Sequence, residues 1–177
     1  MRQSNNFSSQ QGFTLIELIL YIALVSIFIS GAILFAWDII YGRVKSQVQQ
    51  EVNQNLRLAN KRIVYEIRNA SAINSVDTNK ICLASSESAR NPTKFYVNSG
   101  RLRIGWGGGS SDCTGLTNDE PLTSNQIALS TLTFTDLSTG GGESKNIQFT
   151  LTVASVSDRE EWQKTQTYTT AVELRSN

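Results

Sequence analysis

Apolar residues dominate the chain from Phe13 to Ile40, and beyond this run their spacing changes from continuous to periodic. About 20 apolar residues are enough to cross a bilayer as a helix. After the run, apolar residues recur at every third or fourth position, which predicts one amphipathic helical stripe. Its members are Val44, Val48, Val52, Leu56, Ala59, Ile63, Ile67 and Ala70. Because no proline precedes Pro92, both parts are predicted to form one helix from Phe13 to about Ala70.

After Ser71, short stretches rich in β-branched and aromatic residues alternate with Gly, Ser, Asn and Asp, which is typical of strands. Lys94–Val97 and Leu102–Trp106 flank Asn98-Ser99-Gly100, and this arrangement predicts a hairpin. Farther along, apolar and polar residues alternate, so one face of each strand should be covered. The apolar positions are Leu132, Phe134, Ile147, Phe149, Leu151, Val153, Tyr168, Val172 and Leu174.

The predicted fold class is α+β, with a long N-terminal helix whose amphipathic half packs on an antiparallel sheet. Both elements have an apolar surface that needs covering, and each can cover the other. Gly140-Gly141-Gly142 is interpreted as a turn between the two longest strands.

Composition limits the possible functions. Sixteen basic and fifteen acidic residues nearly cancel, so no global field favours nucleic acid as a partner. The chain has no histidine, which excludes histidine-dependent metal sites and general-base triads. No catalytic residue, metal site or cofactor is predicted, and the chain is not expected to be an enzyme.

Glu17 is a carboxylate near the start of the apolar run. A charged side chain inside a membrane span costs roughly 2.5 to 3.5 kcal/mol on insertion scales, so such a residue indicates a function and needs a partner. A cleaved secretory signal has a shorter apolar region than this one. A plain signal anchor fits the length but leaves Glu17 unexplained.

The residues Gly12-Phe13-Thr14-Leu15-Ile16-Glu17-Leu18 resemble the processing site of type IV prepilins and type II secretion pseudopilins. The resemblance implies that a membrane aspartyl peptidase cuts between Gly12 and Phe13 and methylates the new amino terminus. Glu17 would then be the fifth residue of the mature chain and would act in assembly. The new ammonium group at Phe13 could neutralise Glu17 of a neighbouring subunit, and a buried charge pair is tolerated where a lone charge is not.

The resemblance also implies a division of the chain. Residues 1–12 would be a leader, 13–41 a transmembrane and assembly helix, 42–71 an amphipathic helix continuing into the head, and 72–177 an antiparallel β head. The protein would sit in the cell membrane as a single-pass protein with its head outside the cytoplasm, and later in an extracellular or periplasmic filament. The implied partners are other pilin or pseudopilin subunits, prepilin peptidase and the inner-membrane assembly platform.

Within this family the chain looks most like a minor subunit of the J/W type, which would prime assembly or cap the filament. The grounds are the helical run Asn55-Leu-Arg-Leu-Ala-Asn-Lys-Arg-Ile63, the final strand from Tyr168, and a cysteine pair that is not carboxyl-terminal. Many major pilins have a proline where this chain has Leu34. A major pilin and a singly anchored surface binding protein remain the alternatives.

Three further features of the head and helix allow two interpretations each. Cys82 and Cys113 would lie outside the cytoplasm, where one disulfide is expected, with two buried thiols as the alternative. An acidic loop with Asp112, Asp119 and Glu120 could hold Ca²⁺, but a solvated loop is favoured. The helix has an excess of four positive charges after the apolar run, which favours a solvated face over contact with acidic surfaces of adjacent subunits. These charges are Arg43, Lys45, Arg57, Lys61, Arg62 and Arg68 against Glu51 and Glu66.

Overall fold

The computed structural model describes residues 12–138, 145–157, 159 and 162–175. Most of the leader and the Gly140-Gly141-Gly142 turn therefore lie outside the described residues. Helix α1 spans Leu15–Asn69, and a short 3₁₀ helix spans Ser88–Arg90. The strands are β1 (Ala70–Asp77), β2 (Lys80–Ser85), β3 (Thr93–Asn98), β4 (Arg101–Trp106), β5 (Asn118–Pro121), β6 (Ile127–Asp136), β7 (Asn146–Ser155) and β8 (Thr165–Glu173). The α+β class predicted from the sequence is confirmed.

The chain divides into two compact units, with the boundary between Arg43 and Val44. The first unit contains the apolar part of α1. The second contains the amphipathic part of α1 and all the strands listed above. The predicted helix limits, Phe13 and Ala70, differ from the observed ones by no more than a residue or two, as is usual for helix ends.

In the second unit, the face of α1 that is buried is the one predicted from the apolar period. Its buried apolar residues are Val52, Leu56, Ala59, Ile63 and Ile67. Val44 and Val48, at the start of the predicted stripe, are only partly covered. Leu58 and Tyr65 occupy the opposite side of the helix and are exposed. The helix therefore separates a core face from a solvent face, as an amphipathic pattern requires.

The strands form two antiparallel sheets, which corrects the prediction of a single sheet. One sheet has the order β1-β2-β3-β4-β5, and the other has the order β6-β7-β8. β5 is a short exposed strand that ends in Pro121. Proline has no N–H to donate to a further strand, so β5 is a suitable edge, and β6 begins a second sheet instead of extending the first.

The predicted hairpin is present as β3 and β4. Asn98 pairs with Arg101 across the turn, and the two turn residues, Ser99 and Gly100, have φ angles of 52° and 70°. Two consecutive positive φ angles match the type I′ turn, whose twist suits a two-residue hairpin. Glycine adopts such an angle without steric cost, so Gly100 is the residue that the turn requires.

One continuous core joins the helix to both sheets. From the first sheet, Phe95 and Ile104 reach this core, and from the second, Phe134 and Phe149 pack with ring centroids 6.1 Å apart. The predicted alternation in β6 and β7 is confirmed by the burial of Leu132, Phe134, Ile147, Phe149, Leu151 and Val153. In β8 it holds for Val172, whereas Tyr168 is exposed.

A disulfide joins Cys82 on β2 to Cys113 in the loop between β4 and β5, with a Cα–Cα distance of 5.9 Å. Both cysteines are buried. The glycine-rich part of this loop passes close to neighbouring backbone: a Cβ added at Gly107 would lie 2.8 Å from the carbonyl oxygen of Ala89, and Gly107 has a φ of +76°. Its glycines therefore serve close packing beside the bridge.

Removal of the disulfide is expected to destabilise the head. The bridged cysteines are 31 positions apart, and closure of a loop of that size contributes about 3 to 4 kcal/mol in the chain-entropy account. The Cys82→Ala/Cys113→Ala variant should therefore unfold at a lower urea concentration than the wild type, measured by tryptophan fluorescence of the full chain in detergent. Dithiothreitol should lower the wild-type midpoint and leave the variant unchanged. An unchanged midpoint in fully reduced wild-type protein would contradict this assignment.

Candidate functional site

The start of α1 has a local cap that fixes where the helix begins. The hydroxyl oxygen of Thr14 accepts a hydrogen bond from the backbone N–H of Glu17 at 3.4 Å, and the carbonyl of Thr14 accepts one from the N–H of Leu18 at 3.2 Å. A threonine at the cap with a glutamate three residues later is a common helix-starting pair, because both can satisfy the unpaired N–H groups of the first turn. The residues that resemble a prepilin processing site therefore also form the start of the helix.

Glu17 and Tyr21 are four residues apart and lie on one face of α1, and Phe13 stands four residues before Glu17, just ahead of the helix. The rings of Phe13 and Tyr21 lie 6.1 Å apart between centroids. The side chain of Glu17 is exposed, and no ion pair engages it within the part of the chain that the structure describes. Any cation that neutralises it must come from another molecule or from a change in this chain, such as a new amino terminus.

Gly12 lies just before this cap. A Cβ added at Gly12 would have no atom within 4 Å of it. The fold of the subunit itself therefore does not require glycine there. If glycine is needed, the requirement comes from whatever binds this segment.

Helix α1 is the one described helix that is long and apolar enough to cross a membrane, with a mean hydropathy of 2.7 in its most apolar window. Its two serine hydroxyls in the apolar run do not need an outside partner. Ser26 donates to the carbonyl of Ile22 at 2.7 Å, and Ser30 donates to that of Ser26 at 2.8 Å. In lipid such internal hydrogen bonds are favoured because no water can replace them. This apolar segment suggests anchoring in a membrane.

The sequence analysis did not single out Asp38, a second carboxylate near the end of the apolar run. Asp38 is exposed, and the rings of its neighbours Trp37 and Tyr41 lie 6.0 Å apart between centroids. Tryptophan and tyrosine concentrate at the boundary between lipid and water. A carboxylate beside them can stay hydrated, so Asp38 does not need a cation as partner in the way that Glu17 does. The aromatic pair next to Asp38 is the sequence signal that could have distinguished the two carboxylates.

In the head, the three acidic residues considered for Ca²⁺ do not converge on one point. Asp112 accepts hydrogen bonds from the hydroxyls of Ser110 and Thr114, which keep it within its own loop. Asp119 on β5 faces the guanidinium of Arg103 on β4, with its oxygens 2.9 and 3.0 Å from Nε. Within the described ranges, no group of three or more acidic or cysteine residues could hold a metal ion.

The contact between Asp119 and Arg103 affects the pKa values of the side chains at the edge formed by β4 and β5. Partial burial raises the pKa of Asp119, but hydrogen bonds from Arg103 and Tyr96 and the charges of Arg103 and Lys94 outweigh it, so the pKa lies below its usual value. For Tyr96, burial and the neighbouring Asp119 both raise the pKa. Asp119 is thus a structural carboxylate that stays ionised at neutral pH.

Acid should weaken the contact between β4 and β5. A carboxyl group whose pKa falls on folding stabilises the fold above its unfolded pKa of about 3.9, and that stabilisation is lost as the pH falls through the folded pKa. Asp119→Asn should lower the urea midpoint slightly at neutral pH and reduce the acid sensitivity below about pH 4. Glu120→Gln, at the neighbouring exposed position, is the matched control. An identical pH profile for Asp119→Asn and wild type would contradict the assigned role.

Comparison with known protein families gives a match at the start of the chain. Residues 7–33 match the family described as the prokaryotic N-terminal methylation motif. No curated protein and no solved structure matches the chain. The match covers Gly12, Phe13 and Glu17 and supports a relation to type IV pilin-like proteins. It indicates prepilin-type processing, which is a property of structural subunits that associate with other pilins and with prepilin peptidase.

Proposed function

We propose that this protein is a structural subunit of a type IV pilus or type II secretion-like filament, cut between Gly12 and Phe13 and methylated at Phe13. The single observation that carries the proposal is Glu17, a carboxylate inside an apolar helix start that matches the methylation motif. Its neighbourhood supplies no cation within the described residues. Cleavage at Gly12 would create one.

The pairing partner in this proposal is the ammonium group of Phe13 on a neighbouring subunit. In a low-dielectric filament core, removal of one partner of a buried charge pair costs about 3 to 5 kcal/mol, because the other charge stays buried and unpaired. A subunit that enters out of register would bear that cost. The pair therefore selects the correct alignment of the entering subunit. It raises the free energy of a misaligned subunit more than it lowers that of a correctly aligned one.

The rest of the apolar segment supports the same function. Its side chains are exposed both in the middle and near the end of the run, as at Phe28 and Trp37, where 75% and 54% of the surface is accessible. An apolar surface of this extent needs cover in water. Lipid would provide it before assembly and other subunits would provide it afterwards, with the inner-membrane assembly platform moving the subunit between the two.

The finer proposal is a minor subunit of the J/W type that primes assembly or caps the filament. It is supported by the early position of the disulfide, Cys82–Cys113, and by α1 continuing unbroken through Leu34. A major pilin would have the same start, and its abundance in purified filaments would distinguish it. A singly anchored surface binding protein would keep its leader and would not polymerise.

Loss of the Glu17 carboxylate should impair assembly without impairing membrane insertion. Glu17→Gln keeps the size of the side chain and removes its charge, so its incorporation into sheared filaments should fall at least about tenfold. The amount in the membrane fraction should be unchanged, and both are measured by immunoblot. Asp38→Asn, which removes the other carboxylate of the segment, is the control and should assemble normally. Equal incorporation of Glu17→Gln and wild type would rule out the pairing mechanism.

A further inference from the structure

The head has a cationic groove that the proposed assembly mechanism does not use. The groove has a volume of about 670 Å³ and lies where the end of α1 meets the start of β1, the end of β2 and the segment after β8. Five cations line it: Arg62, Arg68, Arg90, Lys145 and Arg175. With two carboxylates, Glu66 and Glu87, the lining has an excess of three positive charges. A second depression of about 840 Å³ adjoins it and shares Tyr65, Arg68 and Arg175.

Part of this charge is used within the fold. Glu66 is buried, and one of its oxygens accepts from Arg62 at 2.7 Å and from Arg90 at 2.8 Å. This triad ties the 3₁₀ helix to α1. Because Glu66 is already paired with Arg62 and Arg90, its charge does not offset the other three cations of the groove, and Glu87 is the remaining carboxylate of the lining.

Arg68 and Arg175 line both the groove and the adjoining depression. The backbone N–H of Arg175 donates to the carbonyl of Arg68 at 3.4 Å, which keeps the two residues next to each other. Both side chains are exposed, and no ion pair engages either one in residues 12–138, 145–157, 159 and 162–175. Two neighbouring like charges repel each other, and an anion between them would relieve the repulsion.

Arg62 also lines the groove, and part of its guanidinium group is buried. The Nε of Arg62 is buried and has no hydrogen-bond partner among the described atoms, although its other nitrogen bonds Glu66. Because this atom is buried, a ligand in the open groove would contact the exposed side chains of Arg68 and Arg175 instead. The guanidinium carbon of Arg62 lies 5.9 Å from the centre of the exposed Tyr65 ring, which places an aromatic surface beside the unpaired donor.

We infer that this groove binds an extended acidic segment of a partner protein, with carboxylates on Arg68 and Arg175. Carboxylates are matched geometrically by guanidinium groups. Tyr65 and Leu174, which also line the groove, offer apolar contacts to side chains between the carboxylates. Glu87, which also lines the groove, would repel a continuous phosphate backbone, whereas a peptide can space its charges around it and donate N–H groups to its carboxylate. These features favour protein over nucleic acid as the partner.

The test uses the full chain in zwitterionic detergent and a short fluorescent peptide in which glutamate alternates with glycine. Wild-type protein should bind this peptide, with affinity that falls as salt rises. Arg68→Glu/Arg175→Glu should weaken binding by about tenfold or more. Arg57→Glu/Lys164→Glu changes the net charge equally at exposed positions away from the groove and should weaken binding by less than about twofold. Urea unfolding of both variants checks that the head is folded.

Three results would overturn the inference. One is that the wild-type protein binds the glutamate peptide no more tightly than it binds the same peptide with glutamine in place of glutamate. Another is an equal loss in the groove variant and in the control variant, which would indicate a general charge effect. The third is tighter binding to single-stranded DNA of equal charge, which would make nucleic acid the ligand. None of these depends on cleavage at Gly12, so they leave the proposed assembly mechanism unaffected.

Discussion

A carboxylate in an apolar helix must find a cation, and this requirement links the start of the chain to its proposed use. Glu17 lies in the first turn of α1, and Phe13 stands four residues earlier, just ahead of the cap residue Thr14. A single cut before Phe13 would therefore place a cation just before the helix and an anion in its first turn. In the proposed filament each subunit supplies both groups, and a neighbour completes each pair. The low dielectric that makes a lone charge costly also makes the pair selective for register.

The part of α1 in the head has a different role from the part in the apolar segment. From Val52 onward the helix supplies one buried stripe, and two antiparallel sheets close over it to form a single core. Charge and hydrogen bonds add specific connections between the elements. The backbone N–H of Ser124 donates to Asn55 at 2.8 Å and joins α1 to the loop before β6, while Glu66 joins α1 to Arg90. Asn55 belongs to the helical run used for the subtype hypothesis, and its role here is structural.

The parts of the fold that the sequence predicted are those with a strong local period or turn signal. The buried stripe of α1, the hairpin at Ser99 and Gly100, and the alternation in β6 and β7 belong to this group. The sequence predicted strands after Ser71 without giving limits for β1, β2 and β5, because these strands depend on pairing with neighbours, and all four residues of β5 are exposed. The division into two sheets depends on which strands pair over long distances in the chain and on the position of Pro121 in an edge strand. No local sequence pattern reveals this pairing.

The same contrast applies to the candidate sites. The processing motif is contiguous, so seven residues of sequence were enough to suggest it. The cationic groove combines Arg68 with Arg175, which are far apart in the chain, and only the fold brings them together. The sequence showed an excess of positive charge along α1, which is typical of a solvated face, and it gave no position for Arg175 relative to these charges.

The most direct test of the central claim is the mass of the amino-terminal peptide of the protein isolated from its own cells. The account predicts a peptide that begins at Phe13 and carries one methyl group on its amine. Because the fold leaves space beside Gly12, a Gly12→Leu variant should insert equally well and yet keep its leader. A wild-type protein that retains Met1 would contradict the account, since Glu17 would then have no new ammonium group to pair with.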